Sequence, residues 1–137
     1  MPSNTAAVQA RELPWQAMHY MRKTVNFNDT GIATGLPFAQ YLPAGAQIHY
    51  CMVNVVTAFN AGTTNVLTVG TNSSSFNNIV AAGDVDESVA EGQMVMAGAD
   101  LEFASAAQPY VKFTESGTAA TTGQAIVTIV FTVDNDE

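Results

Sequence analysis

The sequence predicts an all-β protein: an antiparallel two-sheet β-sandwich of about eight strands, with a jelly roll the favoured type, preceded by an extended N-terminal arm. Three observations carry this prediction. The composition is 47% hydrophobic and only 12% charged, with Ala, Thr, Val and Asn prominent, and β-branched residues pack well on a pleated surface. From Tyr20 onward, short alternating runs are separated by Gly, Pro, Asn and Asp clusters, at about the 8–12-residue spacing of sandwiches and barrels. No strand–helix–strand alternation appears that would call for a parallel sheet. An immunoglobulin-like sandwich is the runner-up, although the Cys…Trp…Cys spacing of a true immunoglobulin domain is absent.

The 137 residues suit one domain with one core. They divide into an arm over 1–19 and a sandwich over 20–137. In the arm, Leu13, Trp15 and Met18 are scattered among polar residues, and Pro14 biases Leu13 toward an extended backbone. A helical turn over 15–21 is the local alternative, since Trp15, Met18 and His19 share a helical face. A frayed terminus is the ordinary reading of such a segment, but the chain's single tryptophan argues for a contact.

The first strand is expected over Tyr20–Phe27, with Tyr20, Arg22, Thr24 and Asn26 on one face and Met21, Lys23, Val25 and Phe27 on the other. Turn signals follow at 28–31, 34–37 and 42–46. Gln47–Thr57 is the longest β run of the first half. Strict alternation sets Ile48, Tyr50, Met52, Asn54 and Val56 against Gln47, His49, Cys51, Val53 and Val55. Val66–Val69 follows a Gly- and Asn-rich loop, and Asn78–Ala81 is a weaker strand candidate. Asp84 is placed to cap one helical turn over 85–90, ended by Gly92. Leu101–Ala104, Tyr110–Thr114 and Gln124–Val133 complete the series. The last has Ala125, Val127, Ile129, Phe131 and Val133 on one apolar face, as a strand with one buried side requires.

The net charge is −8, and it is uneven. Residues 1–23 hold Arg11, Arg22 and Lys23 against Glu12, whereas beyond them Lys112 alone faces eleven acids. A body with one lysine cannot neutralise several phosphates, which disfavours nucleic acid as a partner; anionic membranes are disfavoured likewise. No basic start precedes an apolar run of about 7–15 residues, and no apolar stretch of about 18 occurs. The chain reads as soluble and unexported, so the glycosylation sequons at Asn28 and Asn72 carry no weight.

Catalytic signals are weak. Cys51 is the only cysteine, so neither an intramolecular disulfide nor a thiolate metal cluster is expected. His49 and Cys51 form the one pair with ligand-like spacing. Same-face neighbours on a strand lie about 6.5 Å apart at Cα, and a lone cysteine ordinarily packs as a small hydrophobe. Asp84, Asp86, Glu87 and Glu91 offer oxygen ligands in principle, but they lack the third acidic position and the glycine of a calcium loop. They read as a solvated acidic lip. No catalytic residues, no metal and no cofactor are assigned. Loops of Thr, Asn, Ser and Gly suit docking on another protein surface, so binding is the better expectation.

Three segments, Leu42–Ile48, Val53–Gly70 and Val111–Phe131, resemble small structural proteins of tailed bacteriophages. Among these they are most similar to capsid decoration, or cement, proteins with a jelly-roll fold; the likeness covers roughly residues 36–133 and leaves the arm outside. The resemblance implies a non-enzymatic virion protein, made in the bacterial host cytoplasm. It would bind the outside of an icosahedral shell, bridge neighbouring major capsid proteins and associate with itself as a dimer or trimer. The contact residues to expect are Leu13, Trp15, Met18, Tyr20, Arg22 and Lys23. The alternative is a carbohydrate- or receptor-binding sandwich of a phage tail or head appendage, for which Tyr41, Tyr50 and Tyr110 are the aromatic candidates, although alternation sets Tyr50 beside Ile48 and Met52, more like core than a sugar platform.

Overall fold

The computed structural model describes residues 18–96 and 103–133. Among these, seven strands run in chain order: β1 (His19–Asn26), β2 (Leu36–Pro37), β3 (Gln47–Thr57), β4 (Thr64–Gly70), β5 (Gly92–Val95), β6 (Tyr110–Ser116) and β7 (Gln124–Thr132). They form a four-stranded sheet in the order β1-β7-β3-β5 and a three-stranded sheet in the order β2-β6-β4. Every strand pairing is antiparallel. Successive strands alternate between the sheets, and the first strand lies beside the last, which is the arrangement of a jelly roll. The expected strand over 78–81 is reduced to a bridge between Val80 and Val69 of β4, at the edge where an eighth strand would lie.

The inner face of the larger sheet is built in rows. Met21, Ile129, Cys51 and Val95 lie across its four strands, all buried. The next row is Lys23, Val127, Val53 and Gln93, with Val127 and Val53 buried and the two edge residues only half-buried. Polar groups turned inward on edge strands discourage further strand addition. Val25, Ala125 and Val55 close the third row. Against these rows the smaller sheet presents Leu67, Val69, Val111 and Phe113. Each Val, Leu, Ile or Phe taken fully from water contributes about 1.5–3 kcal/mol before its entropic cost.

Several expectations are corrected. β1 alternates as expected, with Met21 and Val25 buried, but the alternation expected of β3 breaks, because the β3–β7 register shifts between Ile48 and Tyr50. His49 is the extra residue, so Ile48 joins Cys51, Val53 and Val55 in the core while Tyr50, Met52 and Asn54 turn outward. One bulge thus reverses the facing of everything before it. The residues from His19 are extended rather than helical, and 85–90 forms turns, not a helix. There the carboxylate of Asp84 accepts from the Ala81 N–H at 2.8 Å, closing the turn behind it instead of capping a helix ahead. β2 and β5 were not foreseen: Pro37 and Gly92 read as breakers, but Pro37 sits on an edge strand, where a missing N–H is tolerated. Of the expected strand 101–104, the first two residues lie outside the described residues. Phe103 instead exchanges backbone hydrogen bonds with the turn before β3, donating to Ala46 at 3.1 Å and accepting from Gly45 at 2.6 Å.

Candidate interaction surface

The outer face of the larger sheet follows from the same register. Tyr20, Val130 and Tyr50 form one row; Arg22, Thr128, Met52 and Met94 the next; Thr24, Ile126, Asn54 and Gly92 the third. Toward the other end the row turns polar, with Gln124 donating to Asn26 at 3.0 Å. Met18 (55% exposed), Tyr20 (64%), Met94 (59%) and Met96 (68%) place large apolar groups in water on or beside this face. Scattered exposed apolar residues are ordinary, but a contiguous group on one face marks a contact surface. No carboxylate occurs in the three rows, in a chain that carries twelve.

A hollow of about 390 Å³ opens at the aromatic end of this face. Its walls are Met18, Tyr20 and Arg22 from the β1 side, Thr128 and Val130 from β7, and Tyr50 from β3. His19 also borders it. The Nε2 atom of His19 is buried with no hydrogen-bond partner among the described residues, and its ring packs beside Phe131 at 5.8 Å between centroids.

The structure therefore brings Met18, Tyr20 and Arg22 together. Lys23 turns to the opposite side of β1, half-buried at the edge of the inner row. Leu13 and Trp15 lie outside the described residues. What sequence reasoning missed is the β7, β3 and β5 part of the surface: Val130, Thr128, Tyr50, Met52 and Met94. Tyr50 was set beside Ile48 as a core residue, and only the bulge at His49 separates them. The aromatic candidates for glycan binding do not gather. Tyr50 lies on the larger sheet, Tyr110 on β6 of the smaller one, and Tyr41 is 63% exposed in the connection before β3. Tyr110 borders a second hollow, of about 430 Å³, with Thr71, Asn72, Ser73, Phe103 and Gln108.

The remaining chemical candidates are engaged elsewhere. Cys51 is fully buried in the core, and burial pushes its thiol up to about 12, so it holds its proton and is a poor nucleophile. His49 is held by Thr132, with Nε2 at 2.9 Å from the hydroxyl oxygen. Asp86 accepts from the Ser88 hydroxyl at 2.5 Å and from the Ser88 N–H at 3.0 Å, bonds that hold its carboxyl below the usual range. Glu87 is not part of a solvated lip, being 6% exposed. Its Oε1 accepts from the Leu67 N–H at 2.6 Å, and burial raises its carboxyl above the ordinary value. Among the described residues, no three His, Cys, Asp or Glu side chains converge as a metal site needs.

No protein-family model and no curated protein matches the sequence. Solved structures do match its fold. A chain of the cyanophage Pam1 capsid asymmetric unit is similar with a TM-score of 0.63 at 16% identity, over 98% of this chain and 100% of that one. A chain of the acidic stable capsid structure of Helicobacter pylori bacteriophage KHP30 is similar with a TM-score of 0.61 at 14% identity, over 83% of this chain and 86% of that one. At these identities the likeness is one of fold: the two-sheet sandwich described above also occurs in chains of two bacteriophage capsid structures.

Proposed function

We propose that this chain is a non-enzymatic virion structural protein of a tailed bacteriophage, a decoration protein that binds the outer surface of the capsid and cements neighbouring major capsid proteins. The observation that carries the reading is the end-to-end match with a chain of the Pam1 capsid asymmetric unit, 98% of this chain against 100% of that one. The likeness runs along nearly all of these 137 residues and the full length of a chain found in a capsid. Its surface supports the same reading. An adhesive patch without carboxylates, on a chain of net charge −8, suits a protein partner and not a polyphosphate.

Leu13, Trp15, Met18, Tyr20, Arg22 and Lys23 supply the contact in this proposal, together with the outer rows of the larger sheet. Burying one aromatic side chain of about 200 Å² contributes about 5 kcal/mol before ordering costs, and those costs leave a small surplus per copy. Self-association into a dimer or trimer multiplies that surplus through avidity. The test is co-sedimentation with capsids of the parent phage assembled without this protein. The full chain pellets saturably, in a fixed ratio to the major capsid protein. A chain lacking residues 1–17 stays in the supernatant while keeping its circular-dichroism spectrum. Equal pelleting of the shortened chain removes the arm from the contact, and no pelleting of the full chain overturns the reading.

A further inference from the structure

We infer that the hollow of about 430 Å³ at the end of the smaller sheet is a binding site for a neutral sugar ring. Its two walls spring from one rung of that sheet, where Gly70 of β4 is paired with Tyr110 of β6. The turn that leaves β4 supplies Thr71, Asn72 and Ser73; the connection that enters β6 supplies Phe103 and Gln108, and Tyr110 itself completes the lining. The volume lies within the range of about 300–1,000 Å³ that small-molecule sites occupy.

The lining decides the class of ligand. Among the described residues, none that borders the hollow is charged, and Lys112 of the same strand lies over the Phe76 ring, 5.2 Å from its centroid. A phosphate, a carboxylate or an ammonium group would find no counter-charge here. Neutral donors and acceptors stand instead beside two aromatic rings. The Thr71 hydroxyl accepts from Asn78 Nδ2 at 2.7 Å, so its own proton is left to donate. Asn72 Oδ1 is taken by the N–H groups of Ser74 and Ser75, at 2.8 and 2.9 Å, while its amide nitrogen carries two protons to give. Gln108 donates through Nε2 to the Phe38 carbonyl at 2.8 Å and keeps its carbonyl oxygen as an acceptor. A sugar hydroxyl both donates and accepts, and the carbon-bound hydrogens of a pyranose ring form an apolar face that packs on an aromatic ring such as Phe103 or Tyr110. An extended peptide would need a free strand edge, but Tyr110 is paired on both sides, with Pro37 and Gly70.

Both walls are set before a ligand arrives. Asn78 clamps Thr71 a second time, its Oδ1 accepting from the Thr71 N–H at 3.0 Å. On the other wall, the backbones of Ala107 and Leu42 exchange hydrogen bonds at 2.7 and 3.0 Å. A site that needs no rearrangement loses less free energy on binding. The inference goes beyond the shell-binding reading and does not rest on it.

The test is a titration of the isotope-labelled full chain with glucose, galactose, mannose and N-acetylglucosamine, followed by amide chemical shifts in NMR spectra. Glycerol, sodium phosphate and N-acetylglycinamide serve as comparison probes. At least one sugar shifts the amides of residues 71–73 and 104–108 saturably, with a Kd in the millimolar range, as suits an open site and a ligand of about twelve heavy atoms. Ala106→Glu sets a carboxylate at an exposed position of the lining and weakens that sugar by about tenfold or more, with the remaining spectrum unchanged. Tyr110→Phe keeps the ring against Phe76, removes the hydroxyl and weakens binding several-fold. Tyr41→Ala, outside the hollow, leaves the affinity unchanged. Absence of saturable shifts with all four sugars overturns the inference. So do equal shifts from glycerol, from phosphate or from N-acetylglycinamide, the last marking a peptide site. Sugar binding that survives Ala106→Glu lies elsewhere on the chain and overturns it too. These readings need no capsid, so co-sedimentation succeeds or fails independently of them.

Discussion

Glu87 offers a test of how the connection between β4 and β5 is held. Its side-chain Oε1 accepts from the Leu67 N–H at 2.6 Å, and its backbone carbonyl accepts from the Phe59 N–H at 2.9 Å. One residue thus pins the connection to β4 and to the end of β3. Glu87→Ala leaves the Leu67 donor without its acceptor in a place sealed from water, at a cost of about 1–3 kcal/mol. For a domain of this size, with about 3 °C in Tm per kcal/mol, the loss is roughly 3–9 °C. Glu87→Gln keeps an acceptor oxygen and removes the charge. Burial raises the Glu87 carboxyl in the folded chain above its ordinary 4.5, so the folded state binds the proton more tightly than the unfolded one. The contribution of this group to stability is therefore full below 4.5 and is lost as pH rises through the folded value. Thermal melts followed by circular dichroism at pH 5 and pH 8 measure both effects. The Ala variant melts lower at each pH. The Gln variant gains on the wild type as pH rises, because it lacks this group's decline. Loosening of the connection should also speed hydrogen exchange at Val55, whose N–H donates to Glu91 at 2.9 Å. An Ala variant within about 1 °C of wild type would show that water reaches Leu67 and the pin is not needed; a Gln variant that tracks the wild type across pH would show that the carboxyl is not perturbed.

Two other outcomes follow from the core and its lining. A Cβ on Gly70 would stand 1.6 Å from the carbonyl oxygen of Ser75 and 2.4 Å from Cα of Phe76, which is backbone and cannot step aside. Gly70→Ala is expected to cost more than about 4 kcal/mol and to abolish soluble folding; a variant with near-native Tm refutes the close crossing of the 71–76 loop over β4. Cys51, with its thiol pushed up to about 12 by burial, should not react with a disulfide reagent at pH 8 in the native chain and should react fully in urea. Rapid native labelling would mean that the sheet opens at β3.

The inner rows were legible because alternation and burial agree. Ala125, Val127, Ile129 and Phe131 were read as one face of the last strand and are all in the core. Met21 and Val25 were likewise grouped, while Lys23 shares their side at a tolerant edge. Legibility failed where local chemistry is settled by a distant partner. β5 is four residues beginning with glycine, and it is a strand only because β3 pairs with it from Cys51 to Asn54. β2 has two residues, held by Val111 and Tyr110 of β6. The bulge at His49 has no signature in glycine or proline, and its ring's bond to Thr132, 83 residues away, is visible only after folding. Glu87 misled for the same reason. Its acceptor role is defined by a backbone donor in another strand, which composition does not reveal.

The outer face of the larger sheet shows both cases at once. Met18, Tyr20 and Arg22 were grouped as contact candidates because they lie in one segment that mixes basic and large apolar residues, and the structure sets them around one hollow. Their neighbours Val130, Tyr50 and Met52 come from strands that reach the same face only through pairing. The result has an electrostatic logic. Copies of a chain with net charge −8 repel at long range, and screening shortens that repulsion to about 8 Å at physiological ionic strength. Association then depends on which patch arrives at contact. Twelve carboxylates are present, yet none stands in the three outer rows of the larger sheet, so an approach onto these rows meets none of the chain's acids within them and finds Tyr20 and Met94 exposed.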